Sequence, residues 1–168
     1  MWGGIYAVLF SISTILSFEN PIINGFPEGP AENYAKYSVS NVEFQNAIVG
    51  KEIQYSFYEN KRFGPLQRGQ SISVTDQGGV WVGFGFIRKV GLSDTFSLNF
   101  DFFPGVYLKN SEEDLGGWLM FRSGLEIEYA LDSDWKVSLG YDHRSSGDIW
   151  EYNPGMETIK ISFIKTFI

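Results

Sequence analysis

The chain has 168 residues, a length that fits one domain. Its 20 Asp and Glu outnumber 13 Lys and Arg, and a net charge of -7 argues against a nucleic-acid partner. With no cysteine and one histidine, disulfides, thiolate metal sites and His-rich metal clusters are excluded, and any imidazole chemistry runs through His143.

Residues 2–18 (WGGIYAVLFSISTILSF) are the most apolar stretch. They read first as a signal peptide, although the basic start of such a segment is missing, because the first Lys or Arg is Lys36. The alternative is a first strand, with Tyr6, Val8, Phe10, Ile12, Leu16 and Phe18 on one face and Ala7, Ser11, Ser13 and Ser17 on the other. A transmembrane helix is a third reading, but about 17 residues is the lower limit for spanning. Residues 19–36, rich in Pro, Gly and Asn, read as a linker or arm. Residues 37–168 then form the folded domain.

From there the hydrophobic period is two, and aromatics at 17% together with 19 Gly suit pleated surfaces and turns. Weaker strands are expected within Tyr37–Ile48 and at Lys51–Tyr58 and Leu66–Thr75. In Gly79–Ile87, Val80, Val82, Phe84 and Phe86 oppose Gly83 and Gly85. In Phe96–Phe102, four rings and aliphatics at even positions oppose Ser97, Asn99 and Asp101. Trp118–Tyr129, Trp135–His143 and Glu157–Phe167 repeat the alternation. Turn signals fall at Gly78-Gly79, Gly91–Asp94, Asn110–Gly117 and Asp132–Asp134. The count is eight, unless the first two are one bulged strand and the N-terminal segment supplies the eighth.

The polar face sets the environment. It carries Asp101, Arg122, Glu126, Glu128, Lys136 and Asp142 among Gly and Ser, while the other face is nearly all Phe, Leu, Val, Ile and Tyr. Charges of both signs pair inside a narrow barrel, and a lipid-facing band wants rings and aliphatics. Closure leaves no unpaired strand edge in hydrocarbon. The predicted fold is therefore all-β, an eight-stranded antiparallel transmembrane barrel of the outer-membrane type, against a soluble barrel or sandwich as the alternative. Trp81, Trp118, Trp135 and Trp150, near strand ends, are expected in aromatic girdles. Lys165 interrupts the apolar face of the last strand and is placed to snorkel. The acidic run Glu112-Glu113-Asp114 reads as an exposed loop segment rather than a cation site.

An even strand count puts both ends of the barrel on the periplasmic side, so the connection 144–156 is extracellular. His143 has the outward parity of Leu139 and Tyr141, and Ser145 shares it two residues later. Glu157 has the outward parity of Ile159 at the matching end of the next strand. Imidazole, hydroxyl and carboxylate on one patch are the inventory of an activated serine nucleophile. Neighbours at i and i+2 lie about 6.6 Å apart along a strand, so a bend or bulge is expected for Ser145 to reach His143.

His143-Arg144-Ser145-Ser146-Gly147, followed by Asn153-Pro154-Gly155-Met156-Glu157, resembles the C-terminal signature of the PagL lipid A 3-O-deacylase family: His-x-Ser-Asn, then Asn-x-Gly-x-Glu with the glutamate fourteen positions after the histidine, as here. The resemblance implies His143 as general base, Ser145 as nucleophile and Glu157 as the orienting acid, with Asn153 near the oxyanion hole. Ser146 stands where the family usually has Asn, which opens the question of the oxyanion donors; a backbone N–H near Gly147 is the alternative to Ser146 itself. The implied function is an outer-membrane serine esterase. It acts on lipid A or lipopolysaccharide in the outer leaflet, amid membrane lipid, without cofactor or metal. The alternative is a non-catalytic small barrel acting as an anchor or adhesin. Acyl preference and oligomeric state stay open.

Overall fold

The computed structural model describes residues 32–167. Eight strands follow one another: β1 (Asn33–Phe44), β2 (Ala47–Phe63), β3 (Leu66–Thr75), β4 (Val80–Gly91), β5 (Phe96–Leu108), β6 (Leu119–Ala130), β7 (Trp135–Ser145) and β8 (Met156–Phe167). Each pairs antiparallel with the next, and β1 closes on β8. The barrel is therefore complete without the N-terminal segment, and the readings of residues 1–18 lie outside the described residues. β1 opens at Asn33, so the last four residues of the expected linker belong to a strand. Tyr34 and Lys36 already alternate inward there, and both are buried.

The two strands expected near Tyr37–Ile48 and Lys51–Tyr58 are separate. Gln45 and Asn46, both with positive φ (50° and 66°), join them in a two-residue turn that suits the twist of a hairpin. With eight strands, one rim carries both ends of the described barrel. The opposite rim, called outer below, carries the connections 45–46, 76–79, 109–118 and 146–155.

Alternation is consistent around the barrel. Outward positions such as Val39, Ile53, Ile72, Phe84, Leu125, Leu139 and Ile161 are exposed and apolar. The interior is crossed by buried ion pairs, with rings such as Tyr34, Tyr58, Trp81 and Phe103 packed among them. Arg144 pairs with Glu52, which also pairs with Arg122 at 2.7 Å. Arg122 holds Asp142 at 2.8 Å, Asp142 meets Lys160 at 3.0 Å, and Lys160 and Lys36 each reach Glu126 at 2.8 Å. Lys89 and Glu128 form a further ion pair. Buried charges are tolerated only when paired like this, and loss of one partner costs about 3–5 kcal/mol. A polar lumen with an apolar outer wall is the polarity of a barrel standing in hydrocarbon, the reverse of a water-soluble one.

Two expectations are corrected. Trp81 is not in a girdle: it shares the inward parity of Gly83 and Gly85, is 1% exposed, and lies across the lumen under Arg122. Gly83 and Gly105 make its room, since a Cβ at either would stand 2.4–2.7 Å from the indole. Glu112 is not exposed. Its carboxylate accepts hydrogen bonds from the Thr75 hydroxyl (3.0 Å) and the Asn110 N–H (3.2 Å), whereas Glu113 and Asp114 face solvent. Lys165 reaches the Asp134 carboxylate in the β6–β7 turn (2.7 Å) and sits over the Trp135 ring. This ammonium holds the Asp134 carboxyl below the usual carboxylate range.

Candidate active site

The end of β7 and the start of β8 bring the expected residues to one place. His143 stands directly opposite Glu157, and its Nδ1 lies 3.0 Å from Glu157 Oε1. With Glu157 ionised, the contact fixes the tautomer: Nδ1 carries the proton and Nε2 is left as the basic nitrogen. His143 is 6% exposed and Glu157 half-buried, at the outer rim of the apolar wall.

Ser145 is the last residue of β7 and still pairs with Phe121 of β6. The strand therefore runs through without the expected bulge, and His143 and Ser145 share the outward face by simple alternation. Among the described residues no hydrogen bond joins the Ser145 hydroxyl to the imidazole. Such contacts are often long before substrate binds and tighten in the reacting complex.

The loop beyond β7 turns sharply, with Gly147 at φ 61° and Asp148 at φ 63°. Asn153 fastens it. Its Oδ1 accepts the Ser146 N–H at 2.8 Å, and its Nδ2 donates to Asp148 Oδ1 at 2.9 Å. Both ends of the amide are thus engaged within the loop. Ser146 follows the inward parity of Asp142 and Arg144 and is 0% exposed, so its hydroxyl is turned from the outer wall.

Three neighbours were not singled out by sequence. Gly155, at φ 75°, lies against the imidazole, and a Cβ there would stand 2.6 Å from His143 Cε1. Ser123 of β6 is the register partner of His143 on its other side. Glu43 of β1 is the register partner of Glu157. Gly155 sits inside the quoted motif and only its packing was hidden. The other two depend on cross-strand register, which no local pattern reveals.

The family model of the lipid A 3-O-deacylase PagL matches residues 33–165, nearly the whole barrel. The chain belongs to the PagL lipid A 3-O-deacylase family. Solved structures agree on the fold. The outer membrane enzyme PagL superposes with a TM-score of 0.62 at 12% identity, covering 80% of this chain and 99% of that one. A de novo designed transmembrane β-barrel gives 0.61 at 9% identity, covering 83% and 98%. Neisserial surface protein A gives 0.57 at 10%, covering 80% and 96%. No curated protein matches by sequence. As a PagL-family barrel the chain is an outer-membrane protein, in keeping with its apolar wall. The family to which it belongs acts on lipid A.

Proposed function

We propose that this PagL-family chain is a serine esterase that hydrolyses the 3-O-linked acyl chain of lipid A, with Ser145 as nucleophile, His143 as general base and Glu157 as the acid that orients it. The 3.0 Å Nδ1–Oε1 contact beside Ser145, on the wall where acyl chains lie, carries this reading. Nε2 of His143 takes the Ser145 proton as Oγ attacks the ester carbonyl. The imidazolium, steadied by Glu157, then protonates the departing sugar oxygen. A water, deprotonated by the same nitrogen, cleaves the acyl-enzyme and releases a 3-hydroxy fatty acid.

The test is the lipid A mass spectrum of cells with and without the chain. Loss of one hydroxyacyl group is expected. An unchanged spectrum alongside folded protein in the membrane would leave only a non-catalytic barrel.

The oxyanion of the tetrahedral intermediate needs a donor, and losing one typically costs about 10²–10³ in rate. Ser146 N–H is taken by Asn153, and one of the two N–H bonds of the Asn153 amide is directed to Asp148. This favours a backbone N–H at Gly147, with Asn153 holding the loop that presents it. Asp148→Gly separates the roles, because glycine keeps the positive φ and removes only the carboxylate. If Asn153 acts by holding the loop, turnover falls by about tenfold. If its amide donates directly, freeing it leaves turnover unchanged or raised.

A further inference from the structure

Ser123 carries a hydroxyl that neither the His143–Glu157 pair nor the loop after β7 uses. It lies on β6, where Phe121, Ser123, Leu125 and Ile127 share the outward parity, and Leu125 and Ile127 are exposed on the apolar wall. Its register partners are His143 on β7 and Phe102 on β5. The residue is 2% exposed, and its Oγ is buried without a hydrogen-bond partner. Buried serines of the lumen pair with one another, as Ser38 does with Ser162 and Ser56 with Ser71. On the outer wall a buried hydroxyl left unpaired is a cost that an alanine would not carry.

Four taller side chains surround it: Phe121 and Leu125 along β6, and Phe102 and His143 across the neighbouring strands. Phe121 stands opposite Ser145 and stacks on Phe102, with ring centroids 5.7 Å apart. The rings thus flank the nucleophile on the β5–β6 side. Ser145 is itself only 5% exposed, so a ligand that parts these neighbours to reach Ser145 uncovers Ser123 as well.

With an ester carbonyl at Ser145, the straightest path for its acyl chain runs down the β6–β7 pair toward Leu125, Tyr141 and Leu139, and it passes Ser123. Ser123 and Ser145 are diagonal neighbours across that pair, about 7–8 Å apart along the backbone surface. In the acyl-enzyme the carbonyl carbon is held on Ser145 Oγ. A hydroxyl on the third carbon then stands two carbon–carbon bonds further on, which spans the diagonal to within a hydrogen bond of Ser123 Oγ.

We propose that Ser123 reads the 3-hydroxyl of the acyl chain and sets a preference for 3-hydroxyacyl esters over esters of unsubstituted fatty acids. The inference rests on the esterase reading with Ser145 as nucleophile. A hydroxyl can donate and accept, so the two groups satisfy each other where water is absent. An unsubstituted chain leaves Ser123 as unpaired as it is in the empty barrel. The hydroxylated chain gains one hydrogen bond in an apolar setting, which corresponds to about tenfold in kcat/KM.

The experiment uses the full chain in detergent and two synthetic lipid A preparations that differ only at the 3-position, one with a 3-hydroxytetradecanoyl chain and one with a tetradecanoyl chain. The wild type should favour the hydroxylated chain by about tenfold in kcat/KM. In Ser123→Ala the ratio should fall close to one. A ratio taken within one variant is not moved by partial misfolding, which lowers both rates together. Equal turnover of the two lipids by the wild type, or a preference that survives in Ser123→Ala, would overturn the inference and leave the esterase reading standing. Turnover of neither lipid by the folded wild type would remove both.

Discussion

Ser145→Ala and His143→Ala are each expected to lower deacylation by about 10⁴-fold or more, because nucleophile and base act as a unit. His143 is the sole histidine, so no second imidazole can replace it. Glu157→Ala should leave about 10–100-fold more activity than either, since the carboxylate only orients and stabilises the ring. All three side chains lie outside the ion-paired lumen, so the variants should insert and keep heat-modifiable mobility. Acyl release from purified lipopolysaccharide checks this. Wild-type turnover by Ser145→Ala would remove the serine from the mechanism.

Gly155→Ala is expected to lower kcat by about 10²-fold in a barrel that still folds. Two costs act at one atom. A methyl group at φ 75° is strained by about 1–2 kcal/mol, and it would sit 2.6 Å from His143 Cε1, far inside contact distance. The neighbour that must give way is the imidazole. A displacement of about 1 Å at a reacting group is enough for a hundredfold loss. Histidine resonances report the cause: the variant should lose the Nδ1–H signal of the Glu157 hydrogen bond. Full activity with that signal intact would show that the loop, not the ring, absorbs the methyl.

Most of the architecture was legible because a lipid-facing wall and a polar lumen impose a strict period of two. Leu66–Thr75 has the bounds expected, and the other strands extend or trim theirs at the ends. The misreadings have local causes. The β1–β2 turn is built on Gln45 and Asn46 without glycine, so nothing in the composition announced it. Trp81 was placed by its nearness to a turn, although its parity with Gly83 pointed inward. Glu112 was read with its acidic neighbours, although Thr75 and Asn110 draw it in from distant sequence. At the site, the facing of His143, Ser145 and Glu157 follows from parity, but the fourteen-residue spacing becomes a contact only because β7 and β8 pair His143 with Glu157. The fastening by Asn153 and the seat of Gly155 are loop geometry, which periodicity does not describe.

The occupied lumen also bears on the cell's permeability barrier. Side chains from Arg144 to Lys36 cross the interior as one interlocked series, with serine pairs such as Ser38–Ser162 and Ser56–Ser71 between the strands. With its axis crossed by paired side chains, such a barrel offers solutes no open conduit. The fold thus works as a wall element with chemistry on its outer face rather than as a pore.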